Sequence, residues 1–242
     1  MPDPIYAIGD IHGQLEELHR VLELIEKEGG PEAKVVFVGD YVDRGLNSKA
    51  VVQTLIDGQA RGRNWMCLKG NHDRYLTRFV DDMIIQDPCT ATGLFWLHPR
   101  LGGDKTLLSY GVLAEDGWPI PPIHAEARQA VPEAHLDFLR NLPLIHETDD
   151  LIFVHAGLRP GVPLAQQEED DLVWIRDPFL THKGSFGKLV VHGHTALEHP
   201  QHAGNRVNLD GGAGYFRPLN AAVFEGRDCW LLSDAGRVPL IP

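Results

Sequence analysis

Cysteine is scarce in this chain. Cys67, Cys89 and Cys229 are all that 242 residues contain, an odd number with no Cys-x-x-Cys spacing. That excludes a disulfide framework, a zinc ribbon and a thioredoxin-type redox pair. Cys67 and Cys229 sit inside apolar runs and read as core residues. Basic residues are also short, 22 Lys and Arg against 34 Asp and Glu, for a net charge of −12. So acidic a chain lacks the basic face that duplex nucleic acid or an anionic membrane surface requires. A phosphorylated substrate stays open, because bound metal ions reverse the sign locally. No apolar run approaches the ~20 residues of a membrane span. Met1-Pro2-Asp3 has neither a basic start nor an apolar stretch, and a strand follows at once, so no removable leader is expected. The expectation is a cytoplasmic protein. Otherwise 43% hydrophobic and 23% charged residues describe an ordinary globular chain.

What the chain does have is one pattern, five times over. Ile5-Tyr6-Ala7-Ile8 runs into "GDIHG", and Val35-Val36-Phe37-Val38 into "GDYVDRG". Residues 65–69 run into "GNHD", Leu151-Ile152-Phe153-Val154 into "HAG", and Leu189-Val190-Val191 into "HGHT". Each apolar run is short and rich in β-branched or aromatic residues, as a buried strand is. Each stops in Asp, Asn or His beside glycine. Strands of a sheet ending at one edge would gather those polar groups into a cluster.

The intervening segments support that arrangement. Leu15, Leu18, Leu22 and Ile25 recur at helical spacing before Gly29-Gly30, and a second helix starts at Asn47 or Ser48 and ends near Gly58. Residues 1–70 therefore read as a parallel βαβαβ unit. The stretch 74–148 reads as a mainly helical cap inserted into a single domain spanning 1–242. Leu76, Phe79, Val80 and Met83 face inward in its first helix. A further helix follows Pro132, and residues 86–130 are mixed. The tail reads as a hairpin around Glu225-Gly226-Arg227.

Asp10, His12, Asp40, Asn71, His155 and His194 have a joint chemical sense. Carboxylate, imidazole and amide oxygen suit Mn²⁺, Fe or Zn²⁺, and no thiolate is among them. Two divalent ions bring +4 and the two carboxylates return −2, leaving about +2, which matches a phosphate dianion.

In this order the five motifs resemble the calcineurin-like metallophosphoesterase superfamily. More narrowly they are similar to the bacterial serine/threonine protein phosphatases and the related symmetrical diadenosine tetraphosphatases. The motifs span residues 9–195, about three quarters of the chain. The resemblance implies an α/β fold of four layers, α-β-β-α, with two central mixed sheets packed as a sandwich and helices outside. It implies two divalent metal ions, Mn²⁺ foremost. Asp10 and His12 bind the first, Asp40 bridges, and Asn71, His155 and His194 complete the second. It further implies that His72 protonates the leaving oxygen, that Asp43 orients His72, and that Arg44 and Arg176 grip the phosphoryl oxygens. Phosphate esters would then be hydrolysed by in-line attack of a water activated between the metals, with no covalent phosphoenzyme.

"HAGLRPG" and "VWIRDP" resemble the small bacterial protein phosphatases more than the tetraphosphatases, and that resemblance implies a phosphorylated protein as substrate. The alternatives are a bis(5'-nucleosyl)-tetraphosphatase or related nucleotide hydrolase, and a non-catalytic binding module on the same scaffold. Arg159 reads equally well as a phosphate ligand or a solvated loop residue. His192 reads as a packing or supporting residue, since Ala196 replaces the second histidine of a Gly-His-x-His pair. The eight histidines outside these motifs read as surface or loop residues. Asp73, where eukaryotic phosphatases carry glutamate, is not a ligand. Asp210-Gly211-Gly212 reads as a tight turn without the threonine of the related Asp-Thr-Gly-Ala turn.

Overall fold

Every one of the five apolar runs becomes a strand, and the strands divide between two sheets. The computed structural model describes residues 3–242. Met1 and Pro2, on which part of the leader argument rests, lie outside the described residues. In the first sheet β1 (Ile5–Ile8), β2 (Lys34–Phe37) and β3 (Trp65–Cys67) run parallel, connected through α1 (Leu15–Gly29) and α2 (Ser48–Ala60). On the other side of β1 the tail adds β9 (Ala221–Glu225), β10 (Asp228–Ser233) and β11 (Gly236–Pro239), all antiparallel to their neighbours. The second sheet contains β4 (Ile145–Glu147), β5 (Leu151–Val154), β6 (Leu189–His192), β7 (Gln201–His202) and β8 (Arg206–Asn208). Its order is β4-β5-β6-β8-β7, with β5, β6 and β8 parallel.

Strand alternation explains why the sheets stack. Ala7, Val36 and Phe224 from one sheet share a buried layer with Leu151, Phe153 and Val191 from the other. Their neighbours Tyr6, Ile8, Val35 and Phe37 point the opposite way, against Leu18 and Ile25 of α1 and Val51 and Leu55 of α2. Ile152, Val154 and Val190 pack outward on Leu172 of α7 (Glu169–Trp174) and on Phe179. Four layers result, helices outside and two mixed sheets within. A fully buried Val, Leu or Phe contributes ~1.5–3 kcal/mol, so each sheet is held from both faces.

Between β3 and β4 lie α3 (Asn71–Asp82), α4 (Gly103–Ser109), α5 (Ile120–Ala130) and α6 (Glu133–Arg140). Helix thus begins at Asn71, before residue 74, and Ile145–Glu147 has already rejoined a sheet. Helix α5 grows from the proline-rich stretch, because Pro121 and Pro122 occupy its first turn, where no N–H donor is needed. Met83 departs from its expected inward position. It caps α3 with φ 60° and is 39% exposed, since the helix has ended one residue earlier. His135 also departs from the surface reading, lying buried on α6.

Candidate active site

Three parallel strands of each sheet deliver their carboxyl ends to one rim. Asp10 follows β1, Asp40 follows β2 and Asn71 follows β3, while His155 follows β5 and His194 follows β6. A sixth end, after β8, supplies Asp210, a buried carboxylate close enough to raise the Asp10 pKa. The turns are strained. Of seven non-glycine residues with positive φ among the described residues, five are His12, Asp40, Asp43, Arg44 and His194. Such conformations cost about 1–3 kcal/mol each and persist where surroundings enforce them.

The surroundings here are hydrogen bonds to backbone. The Asp73 carboxylate, fully buried, accepts from the N–H groups of Gly70, Asp40 and Tyr41, each at 2.9 Å. It ties the Asp40 turn to the start of α3, so Asp73 holds a candidate ligand in place without being one. The His72 N–H, in the first turn of α3, donates to Asp40 Oδ1 at 2.9 Å, as helix N-termini do to anions. A Cβ at Gly70 would collide with that same carboxylate.

Asp40 Oδ2 lies 3.6 Å from His12 Nε2 and 3.4 Å from His155 Nε2. It therefore belongs to two groups of possible metal ligands, one with His12 and His72 and one with His155 and His194. His12 donates its Nδ1–H to the Val42 carbonyl and His155 donates its own to the Val38 carbonyl, both at 2.9 Å. Each neutral ring then turns an Nε2 lone pair inward, the arrangement that typifies metal-binding histidine. His155 Nε2 meets Asn71 Oδ1 at 2.9 Å, lone pair facing lone pair. The same oxygen lies 2.8 Å from His194 Nδ1, and the buried His194 Nε2 has no protein partner. Acceptors converging on acceptors, with an orphaned ring nitrogen beside them, fit a cation. Asp10 stands next to these groups. Its carboxylate accepts the His194 N–H at 3.0 Å, and burial followed by Asp210 and Asp40 pushes its pKa well up.

His72 is held from behind. Its Nδ1–H donates to Asp43 Oδ2 at 2.6 Å. That buried carboxylate also accepts Trp96 Nε1–H at 2.8 Å and the Thr106 hydroxyl at 2.7 Å. Burial pushes the Asp43 carboxyl up to about 7 against the Thr106 and Trp96 bonds, and pushes the His72 imidazole down. Arg44 spans the two rings in front, donating through Nη1 to His12 Nε2 at 2.8 Å and through Nη2 to His72 Nε2 at 3.2 Å. Arg176 is exposed and lines the same cleft of about 280 Å³, together with Asp40, Asn71, His72 and His194.

Other residues fall elsewhere. Arg159 pairs with Asp171 at 2.5 Å on the surface. His192 is buried, donates through Nδ1 to the Gly193 carbonyl at 3.0 Å and packs edge-on against Phe179. Cys67 and Cys229 are buried, and Cys89 is exposed at the cleft wall. Sequence reasoning did not find Trp96 or Thr106, and it read Asp210 as a turn residue. Only Asp210 left a signal, a polar residue followed by Gly-Gly after a short run containing Val207 and Leu209.

Among known proteins, the family model described as Calcineurin-like phosphoesterase matches residues 3–224. The asymmetrical bis(5'-nucleosyl)-tetraphosphatase PrpE of Bacillus thuringiensis is 25% identical, over 97% of this chain and 95% of its own. The symmetrical bis(5'-nucleosyl)-tetraphosphatase of Coxiella burnetii is 30% identical over 66% of this chain but only 43% of its own. Two crystal structures share the fold. One, assigned provisionally as a diadenosine tetraphosphatase, superposes with a TM-score of 0.67 at 23% identity, covering 100% of this chain and 95% of that one. The other, a cold-active protein-tyrosine phosphatase of a psychrophilic Shewanella, gives 0.63 at 17% identity, covering 100% and 83%.

Proposed function

The chain belongs to the calcineurin-like phosphoesterase family, and from that premise we propose that it hydrolyses dinucleoside tetraphosphates or related nucleotides with two divalent metal ions. The observation that carries the reading is the lining of the cleft. In a chain of net charge −12, Arg44, Arg100 and Arg176 line one cleft with Asp40, Asn71, His72 and His194, and Trp174 and Tyr215 line it with them. Several phosphates and an aromatic base need that combination; a single phosphoserine does not. The names of the two tetraphosphatase relatives support the same choice.

Asp10, His12 and Asp40 would hold one ion, and Asp40, Asn71, His155 and His194 the other, with Mn²⁺ the first candidate and Fe or Zn²⁺ behind it. Such ions supply charge stabilisation and water activation. Arg44 and Arg176 bind and orient the phosphoryl oxygens. His72 donates a proton to the departing oxygen through Nε2, and Asp43 fixes its ring. As it stands, His72 Nε2 accepts from Arg44. A phosphoryl dianion would draw the guanidinium to itself and favour the charged imidazole beside it.

A phosphoprotein substrate is the weaker reading. Its support is the resemblance of "HAGLRPG" and "VWIRDP" to bacterial protein phosphatases, and Arg159 of the first is engaged by Asp171. The test is parallel turnover, with Mn²⁺ added, of diadenosine tetraphosphate and of phosphoserine and phosphotyrosine peptides. The tetraphosphate should have the higher kcat/KM. Preference for a phosphopeptide would reverse the assignment, and no turnover of either by metal-loaded protein would leave a binding module.

A further inference from the structure

The cleft has two lobes that meet along Arg44, Arg176, His194 and Tyr215. The first contains His72 and is walled by Leu94, Leu101 and Trp174, with Arg100 exposed in its lining. The second continues past His194 along Thr195 and Ala196 to Arg217. Tyr215 belongs to both. Its ring is 56% exposed and lies 4.9 Å over the Arg44 guanidinium. The loop that carries it runs close against His12 and Arg44. A Cβ at Gly214 would stand 2.5 Å from His12 Cδ2 and 2.8 Å from Arg44 Nη1, and Phe216 takes a left-handed φ of 61°. Arg217 is anchored at one nitrogen, Nη1 donating to the Leu197 carbonyl at 3.0 Å, and is otherwise exposed.

The lobes are chemically unequal in a way that assigns the two ends of a substrate. His72 lines only the first, whereas Arg44 and Arg176 line both. A phosphoryl group held by both arginines therefore sits at the junction, and the oxygen that leaves it must point toward His72. Resting on the dinucleotide reading above, we infer that the phosphate chain crosses the junction beside Tyr215. The departing fragment lies in the Leu94–Trp174 lobe, and the fragment that keeps the attacked phosphorus lies in the Arg217 lobe. Hydrolysis then breaks the P–O bond on the His72 side, and its electron pair stays on the departing oxygen. Water supplies the oxygen and one proton of the new P–OH, and its other proton reaches the departing oxygen by way of His72.

A monoester has nothing to place in the Arg217 lobe, which gives the test. For Arg217→Glu and Arg217→Gln, KM and kcat are measured on diadenosine tetraphosphate and on p-nitrophenyl phosphate. The ratio of the two KM values should rise about tenfold or more in Arg217→Glu and less in Arg217→Gln, the scale of one lost charge-assisted hydrogen bond. The kcat on the tetraphosphate should change far less. Arg100→Glu, in the other lobe, should raise the tetraphosphate KM as well. Turnover of the tetraphosphate with an unchanged KM ratio in both Arg217 variants overturns this inference alone. Failure of the wild type to turn it over at all overturns the substrate reading, and this inference with it.

Discussion

His72 Nδ1 stands 2.6 Å from Asp43 Oδ2, and the Asp43 side chain has no exposed surface. Two neighbours in sequence thus face different ways at the start of α3: Asn71 turns its amide oxygen to His155 and His194, and His72 turns back to Asp43.

The roles proposed for them can be separated by leaving group. His72→Ala should lose about 10²–10⁴-fold on an alkyl phosphate, the usual worth of general acid assistance, and much less on p-nitrophenyl phosphate. Asn71→Ala should reduce both and lower metal content. If Asp43 acts through His72, Asp43→Asn should give the same leaving-group dependence, and the double variant should be little worse than His72→Ala. Equal losses on both esters for His72→Ala, or lost metal, would remove His72 from the role of acid.

Metal removal should be visible in stability as well as in turnover. His155 Nε2 and Asn71 Oδ1 oppose each other at 2.9 Å and the buried His194 Nε2 has no protein partner, contacts that a bound cation would relieve. Chelation should abolish activity and lower Tm. Mn²⁺ at 100 times its Kd should restore about 2.7 kcal/mol for each ion bound, several degrees for a chain of this size. A Tm and a rate both indifferent to exhaustive chelation would refute the two-ion reading.

Arg74 links two walls of the cleft. Its guanidinium, 4% exposed, donates to Asp87 at 2.7 Å, two residues before Cys89, and to Asp170 at 2.6 Å at the start of α7. Helix α7 ends at Trp174, and both Cys89 and Trp174 line the cleft. Breaking a buried pair costs about 3–5 kcal/mol, lessened here because Arg78 still reaches Asp87 at 2.9 Å. Arg74→Met should therefore lower the urea midpoint and raise KM for a nucleotide more than for a small aryl phosphate. An unchanged midpoint would show that the network is dispensable.

The legible part of this site was the part written locally. An apolar run followed by Asp, Asn or His and glycine names a strand end in a few residues, which is why Asp10, Asp40, Asn71, His155 and His194 could be read together. Asp43 was readable in the same way, but its partners were not. Trp96 and Thr106 are 53 and 63 residues away, and nothing near them marks the contact. Asp210 ends a run begun by Arg206 and interrupted by Asn208, too polar to resemble the other five. Helix α5 was hidden because proline reads as a breaker, although the first turn tolerates it. His135 is of the same kind: one polar residue on a helix, whose partners come from 25 and 82 residues away.

His135 should make the stability of the fold depend on pH. It is 2% exposed and bonded at both nitrogens. Nε2–H donates to Gln53 Oε1 at 2.9 Å, which leaves Nδ1 to accept the Tyr110 hydroxyl at 2.9 Å. Both bonds suit the neutral ring. Burial, with the Lys49 charge second, pushes its pKa below 6.5, and Asp57 opposes only in part. The unfolded chain therefore binds a proton at a higher pH than the folded one. Stability from His135 is fully present above the unfolded value of about 6.5 and is lost as pH falls through it toward the folded value. Urea midpoints of the wild type should fall from pH 7.5 to pH 5.5, and His135→Asn should show a shallower fall from a lower starting point. The difference between the two curves isolates His135 from His12 and His194, whose burial shifts carry the same sign. Parallel curves would mean that His135 does not titrate on unfolding in this range, and that its bonds to Tyr110 and Gln53 tolerate the charged ring.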